Sequence, residues 1–288
     1  MDADVVVIGG GSAGQQAALT LGRMRFDVVV VDAGSPSNAP AHAIGGLLGA
    51  HAVAPLDLLA TGRAQLAELP SVRLIDGEAT RVDAGWTVTL ADRTALTARA
   101  VVLATGAHYA IPDVAGIAEL WGTSVVHCPF CHGWEARDTR IGMLAADEEH
   151  AQHVGALVRR LSDDVEVYKD LRGLRSQDGV LRAVILPDGT EVARDILFVA
   201  APPRPRDAAF AHLPIERTDA GLLTVDPFGR TSAKGVYAAG DLVTEAPAVA
   251  QAIATGQRAA VGISRDLAAA PTARAAGGPP AGQDGVLT

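Results

Sequence analysis

Four apolar residues near the start of the chain, Val5-Val6-Val7-Ile8, run straight into Gly9-Gly10-Gly11-Ser12-Ala13-Gly14. The helical pattern Gln16-Ala17-Ala18-Leu19-Thr20-Leu21 follows, and then a second apolar run, Val28-Val29-Val30-Val31, that stops on Asp32. A strand apolar on both faces belongs inside a parallel sheet covered on both sides. Gly9, Gly11 and Gly14 fit GxGxxG. Glycine there permits a tight turn, lets a pyrophosphate reach backbone N–H groups at a helix N-terminus, and allows the helix to pack closely on the strand. Asp32 is placed to accept from a ribose 2′-hydroxyl and to repel a 2′-phosphate, so the unit reads as a site for FAD or NAD. The glycines alone would say little. Strand, turn, helix, strand and acid in that order make dinucleotide binding the expectation.

The rest of the chain repeats this grammar. Residues 56–69 have helical apolar spacing, and 72–75, 87–90 and 100–104 read as strands, the last ending in Ala104-Thr105-Gly106. Far downstream, Gly235-Val236-Tyr237-Ala238-Ala239-Gly240-Asp241 is another strand stopping on a glycine and an acid, before a helical stretch over 248–263. An acid at a strand's carboxyl end lies where α/β sheets bind ligands, and a helix start offers free N–H groups. Ser35-Pro36-Ser37-Asn38-Ala39-Pro40 is a turn-rich loop that either reaches back over the cofactor or merely connects.

Between these two parts lies an insertion with its own βαβ pattern: strand 140–146, helix 149–161, strand 165–168. The expected architecture is therefore α/β, with two Rossmann-like nucleotide-binding domains of the three-layer ββα type, the second inserted in the first. Residues 1–112 and 223–267 form the first, 113–222 the second, and 268–288, rich in Ala, Pro and Gly, a disordered tail. A length of 288 residues suits two domains. The inserted unit lacks a phosphate turn: where glycines belong it has Ala145-Ala146-Asp147-Glu148-Glu149-His150, whose carboxylates repel a pyrophosphate. Tyr168-Lys169-Asp170 stands where an NADP site wants arginines, although Arg172 and Arg175 lie just beyond. A working NADPH site is not expected.

The insertion carries the chain's two cysteines, in Cys128-Pro129-Phe130-Cys131-His132-Gly133-Trp134-Glu135. CxxC spacing lets the sulfurs close a small disulfide or open to a dithiol, and lowers a thiol pKa toward neutrality. Zinc wants four ligands; no second cysteine pair exists, and His127 and His132 adjoin the cysteines too closely for one tetrahedron, so no metal site is expected. A reversible two-electron switch is the reading. His132 is the candidate base, since imidazole titrates near neutral pH. Trp121, Phe130 and Trp134 either line a substrate pocket or pack, and His42 and His51 fall in the segment after Asn38.

A net charge of −9 with no basic stripe argues against nucleic acid as a partner. No apolar stretch is long enough to span a bilayer and no leader pattern precedes the first strand, so the expectation is a protein that does not enter membranes. With no further cysteines for structural disulfides, a cytoplasmic location is expected.

The succession of GxGxxG, Ala104-Thr105-Gly106, CxxC and Ala239-Gly240-Asp241 resembles the low-molecular-weight thioredoxin reductase family of FAD-dependent disulfide oxidoreductases, over nearly the whole chain to about residue 267. The resemblance implies FAD as cofactor. It implies that Gly9, Gly11, Gly14 and Asp32 bind the adenosine half of FAD, and that Ser12, Ala13, Asn38, Ala104, Thr105 and Gly106 also bind the cofactor. Gly240 and Asp241 would meet the ribitol–pyrophosphate, and Ala250, Gln251 and Ala252 the flavin's pyrimidine edge. Cys131 would be the thiol near the flavin and Cys128 the one exchanging with substrate, in a homodimer. Thioredoxin reductases follow the second cysteine with Asp-Gly; here His132-Gly133 stands there. That variant, together with the eroded phosphate turn, resembles the dithiol oxidases of gliotoxin- and holomycin-type natural products, which use O₂ and need no NADPH. The implied partners are a dithiol, either a small molecule or a thioredoxin-like protein, and O₂. The competing readings are a thioredoxin-disulfide reductase driven by NADPH or a protein donor such as ferredoxin, and a flavin-binding redox sensor.

Overall fold

The structure, a computed structural model, describes residues 2–50 and 52–269. β1 (Val5–Ile8) turns into α1 (Ser12–Arg23), and β2 (Val28–Asp32) returns parallel to β1 with Val5 opposite Val28 and Ile8 opposite Val31. α2 (Pro55–Ala67) leads to β3 (Val72–Asp76), which extends the sheet beyond β2. An antiparallel meander of β4 (Ala79–Asp83), β5 (Thr87–Leu90) and β6 (Ala95–Thr97) follows, and β7 (Ala100–Leu103) then re-enters the sheet on the other side of β1.

β8 (Ala107–Tyr109) carries the chain out of this half, and α3 (Ile117–Leu120) and β9 (Val125–Val126) open the next. α4 (Pro129–Ala136), β10 (Ile141–Leu144), α5 (Glu148–Val158) and β11 (Val165–Tyr168) follow. A second meander, β12 (Gly173–Gln177), β13 (Val180–Ile185) and β14 (Glu191–Ala193), leads to β15 (Ile196–Val199). β16 (Pro203–Pro205) pairs antiparallel with β8 and brings the chain back. β17 (Val236–Ala238), a 3₁₀ turn at Gly240–Leu242 and α6 (Val249–Ala269) complete it.

The two halves share one three-layer plan. The first parallel sheet has the order β17-β7-β1-β2-β3 and the second β11-β10-β15-β9. Side chains alternate along a strand, so Val5, Val7, Val28, Val30 and Val102 pack under α1 and α6 while Val6, Ile8, Val29, Val31, Val101 and Leu103 pack against the first meander. Each wholly buried valine of this kind contributes about 1.5–3 kcal/mol. In the second half, Met143 and Phe198 pack toward the α4–α5 side, and Leu144, Leu197 and Val199 pack against Leu181 and Val184 of the second meander. This is the expected fold class.

Two boundaries move. The chain returns to the first half at Arg206, not at 223, because Ala209, Phe210 and Ile215 join the core of the first sheet and Val82 donates to the Ala209 carbonyl at 2.9 Å. Helix α6 runs through Ala268 and Ala269, two residues into the expected tail, since alanine is the best helix former and the first proline after it is Pro271. The remainder of the tail expectation, 270–288, lies outside the described residues, as does His51. Among the described residues no helix is long and apolar enough to cross a membrane.

Candidate redox and cofactor site

The turn after β1 shapes the site. Gly9 adopts φ +106°, and a Cβ on Gly14 would lie 1.8 Å from the Gly9 carbonyl oxygen, so the first turn of α1 is pressed directly onto the strand end. A Cβ on Gly11 would meet nothing within 4 Å, because it faces open space. The N-terminus of α1 has no side-chain cap and no acid in its first turn. Its free N–H groups therefore look into a cleft of about 600 Å³.

Gly9, Gly11, Ser12, Ala13, Asp32, Asn38, Ala104, Thr105, Gly106, Gly240, Asp241 and Ala252 line this cleft, and so do Cys131 and His132. Three expected cofactor residues do not: Gly14 is buried beneath the turn, and Ala250 and Gln251 are exposed on the first turn of α6. Cys128 is also absent from the lining, and His42 is exposed outside it. Asp32 accepts from the N–H groups of Gly10 (3.1 Å) and Gly34 (3.2 Å) and from Arg63 Nη1 (3.3 Å). An ionised carboxylate offers about four acceptor positions, so one is left for a ribose hydroxyl. Asp241 accepts from the Tyr109 hydroxyl at 3.1 Å. Burial raises the Asp241 carboxyl, while Tyr109 and the Arg206 charge pull it back down.

The residues present thus suit a dinucleotide such as FAD: open N–H groups for its phosphates, a partly satisfied acid for its ribose, and a cleft continuous with the cysteine pair.

Cys128 and Cys131 are joined as a disulfide with Cα atoms 5.3 Å apart. Cys128 caps α4 at its N-terminus and Pro129 is the first helical residue. The Cys128 carbonyl accepts from the N–H groups of Cys131 (3.2 Å) and His132 (3.1 Å), which fixes the pair at the helix start. From the other side, Gly45 leans on this turn so closely that a Cβ there would be 1.9 Å from the Cys131 carbonyl oxygen.

His132 is half-buried, and its Nδ1 is buried without a hydrogen-bond partner. Burial lowers its pKa below the ordinary value, while Glu135 and the Cys128 carbonyl act in the opposite sense. His127 lines the same cleft, stacked on Trp121 (centroids 5.4 Å apart) and against Tyr109 (4.6 Å). Burial, with His132 adding, pushes His127 down to about 4, so it stays neutral at pH 7. Phe130 and Trp134 differ from Trp121: both are exposed on α4, with the Arg137 guanidinium 4.0 Å above the Trp134 ring. Tyr109 and Gly45 carried no sequence signal as site members, because only the fold brings them into the cleft beside Cys131, whereas His127 adjoins Cys128 in the chain and reads there only as a candidate metal ligand.

The second parallel sheet has a different helix start. Asp147 caps α5 by accepting from His150 N–H at 2.7 Å, the His150 ring faces Ala146 N–H at 3.4 Å, and Glu148 and Glu149 occupy the first turn. Among nearby cations, Arg175 is paired with Glu191 at 2.6 Å, and Arg194 is held by Tyr168, Asp164 and Glu166.

Residues 3–156 and 137–258 match the pyridine nucleotide-disulphide oxidoreductase family. The chain is 31% identical to thioredoxin reductase tcpT of Claviceps purpurea (strain 20.1), covering 92% of this chain and 95% of that protein. It is also 31% identical to thioredoxin reductase sirT of Leptosphaeria maculans, covering 91% and 93%. Among solved structures, HlmI superposes with a TM-score of 0.88 at 35% identity over 93% of both chains, and the putative thioredoxin reductase TrxB of Bacillus anthracis with 0.87 at 26% over 92% and 98%. With Cys131 of the disulfide lining the cleft and relatives matching over nine-tenths of its length, the chain belongs to the pyridine nucleotide-disulphide oxidoreductases, as a thioredoxin reductase-like, FAD-dependent disulfide oxidoreductase.

Proposed function

We propose that this enzyme is a dithiol oxidase: it closes a disulfide in a small-molecule or protein dithiol and delivers the electrons to O₂. The observation that carries the reading is the helix start of α5. Its N–H groups are capped by Asp147, its first turn holds Glu148 and Glu149, and no glycine turn precedes it. An anion cradle closed by its own side chains is a poor place for NADPH, so electrons have to enter elsewhere. The replacement of the usual aspartate by His132 supports the same direction.

A substrate thiolate attacks Cys128 Sγ, breaking the Cys128–Cys131 bond and leaving a thiolate on Cys131. His132, neutral at pH 7, takes the proton from the second substrate thiol, which then attacks the substrate sulfur of the mixed disulfide. Cys128 leaves as a thiolate and the substrate departs as a disulfide. The Cys128–Cys131 bond re-forms as the dithiolate gives up two electrons; FAD held in the cleft would supply the two-electron acceptor for them, with O₂ as the terminal oxidant reduced to hydrogen peroxide. Cys131 is suited to that side because it lines the cleft, whereas Cys128 does not. Phe130 and Trp134, exposed beside the pair, offer an apolar surface for the incoming dithiol.

Anaerobic titration of the flavoprotein tests this. Dithiothreitol should bleach the flavin absorbance and air should restore it, whereas NADPH at several equivalents should leave it unchanged. Bleaching by one equivalent of NADPH would overturn the reading in favour of a reductase. A flavin that no donor bleaches would point to a sensor.

A further inference from the structure

Arg206 follows directly on the strand that brings the chain back from the inserted half, β16 (Pro203–Pro205), and its surroundings are unlike those of Arg63 and Arg217. Four carboxylates line the cleft (Asp32, Glu78, Asp207 and Asp241), yet Arg206 is its only arginine or lysine among the described residues. The backbone of Arg206 is pinned at the carboxyl end of the first sheet: its N–H donates to the Gly106 carbonyl at 3.0 Å, and its carbonyl accepts from the Thr105 hydroxyl at 2.6 Å. The side chain reaches Ser35, another lining residue, with Nη1 donating to the Ser35 carbonyl at 2.5 Å. Its Nε is buried with no partner, and among the described residues the guanidinium forms no ion pair. By contrast, Arg63 is paired with Asp32 and Arg217 with Asp207.

Although the residue is half-exposed, its Nε is buried with its N–H unused, and a guanidinium with an unused in-plane N–H suits bidentate contact with phosphate oxygens. Ser35 lies just past Asp32, on the ribose side of the cleft, while Arg206 also bears on Asp241 at the other side. Between those two acids runs the stretch a pyrophosphate must cross, over the open N–H groups of α1. The first turn of α6, Val249-Ala250-Gln251, brings no cation to it.

We propose that Arg206 is the clamp on the FAD pyrophosphate, supplying from the returning strand the positive charge that the glycine turn and α6 lack. The inference rests on FAD as the resident cofactor and holds whichever way the electrons run.

Release of FAD from the holoprotein, read as free-flavin fluorescence on serial dilution, tests it without any turnover. Arg206→Gln should raise the FAD dissociation constant at least about tenfold, the range for a lost charge-assisted hydrogen bond. Arg206→Lys, which keeps the charge, should fall between Gln and the wild type. Gln within twofold of the wild type, or Gln and Lys losing FAD alike, would overturn the assignment. If the Gln variant does not accumulate folded, the wild type decides: FAD release should increase several-fold from low to molar salt as the ion pair is screened, and salt-independent release would count against the clamp.

Discussion

On the proposed mechanism, His132 as the base sets the pH at which the cysteine pair works. An unperturbed imidazole titrates near 6.5, and burial lowers His132 below that. A base is active when neutral, so a lowered pKa extends its working range to the acid side. The midpoint of the acid limb of kcat for dithiol oxidation should therefore lie below the ordinary imidazole value of about 6.5. His127 has no part in that decline, since it gains its proton only near pH 4. His132→Asn should lower kcat about 100-fold, at the lower end of what a positioned general base contributes, and should remove the acid limb. Oxygen consumption followed across pH 5–8 checks both; an unchanged limb in the variant would assign the titration to another group. The His132 N–H bonds the Cys128 carbonyl, so the imidazole is carried by the same helical turn as the disulfide.

At the level of elements, α1 and α5 occupy equivalent places, α1 joining the paired parallel strands β1 and β2 and α5 joining β10 and β11, yet their starts are chemically opposite. α1 leaves its N–H groups open behind glycines, whereas α5 is capped by Asp147. Asp147→Ala removes that cap and should cost about 1 kcal/mol, seen as a lower midpoint of thermal unfolding, without creating NADPH binding, because Glu148 and Glu149 remain. This contrast was readable in the sequence, since glycines against acids at matching positions need no coordinates. The buried parallel strands were equally legible, because runs such as Val28–Asp32 are apolar on both faces. The second meander was not: β12 and β14 are short, exposed and polar, and gain their strand character only by pairing with β13. β16 carries no strand pattern of its own, since Pro203 and Pro205 cannot donate, and its pairing with β8 is a matter of tertiary placement. Arg206 was hidden for the same reason. Its partners Thr105 and Ser35 lie 101 and 171 residues away in the chain.

Across the whole molecule the cleft is where the two halves meet. The first sheet supplies Gly9–Ala13 and Asp32, the inserted half supplies Cys131 and His132, and the loop containing Gly45 joins them by resting on the Cys131 carbonyl. A cofactor filling this space touches both halves, so its binding free energy becomes stability of the assembled molecule and not only of the first sheet. A ligand at 100 times its dissociation constant stabilises the native state by about 2.7 kcal/mol. Removing FAD should therefore lower the thermal midpoint by several degrees, given about 2–4 °C per kcal/mol at 150–250 residues and somewhat less for this longer chain. The location of the loss is the sharper test. Hydrogen exchange in the FAD-free protein should quicken first in α4 and in residues 38–50, which have few buried neighbours, while β1, β2 and β7, wholly buried in the first core, keep their protection. Uniform loss across both sheets would mean that the cofactor holds the fold itself; loss confined to α4 and that loop would mean that it holds the redox pair against a fold already complete without it.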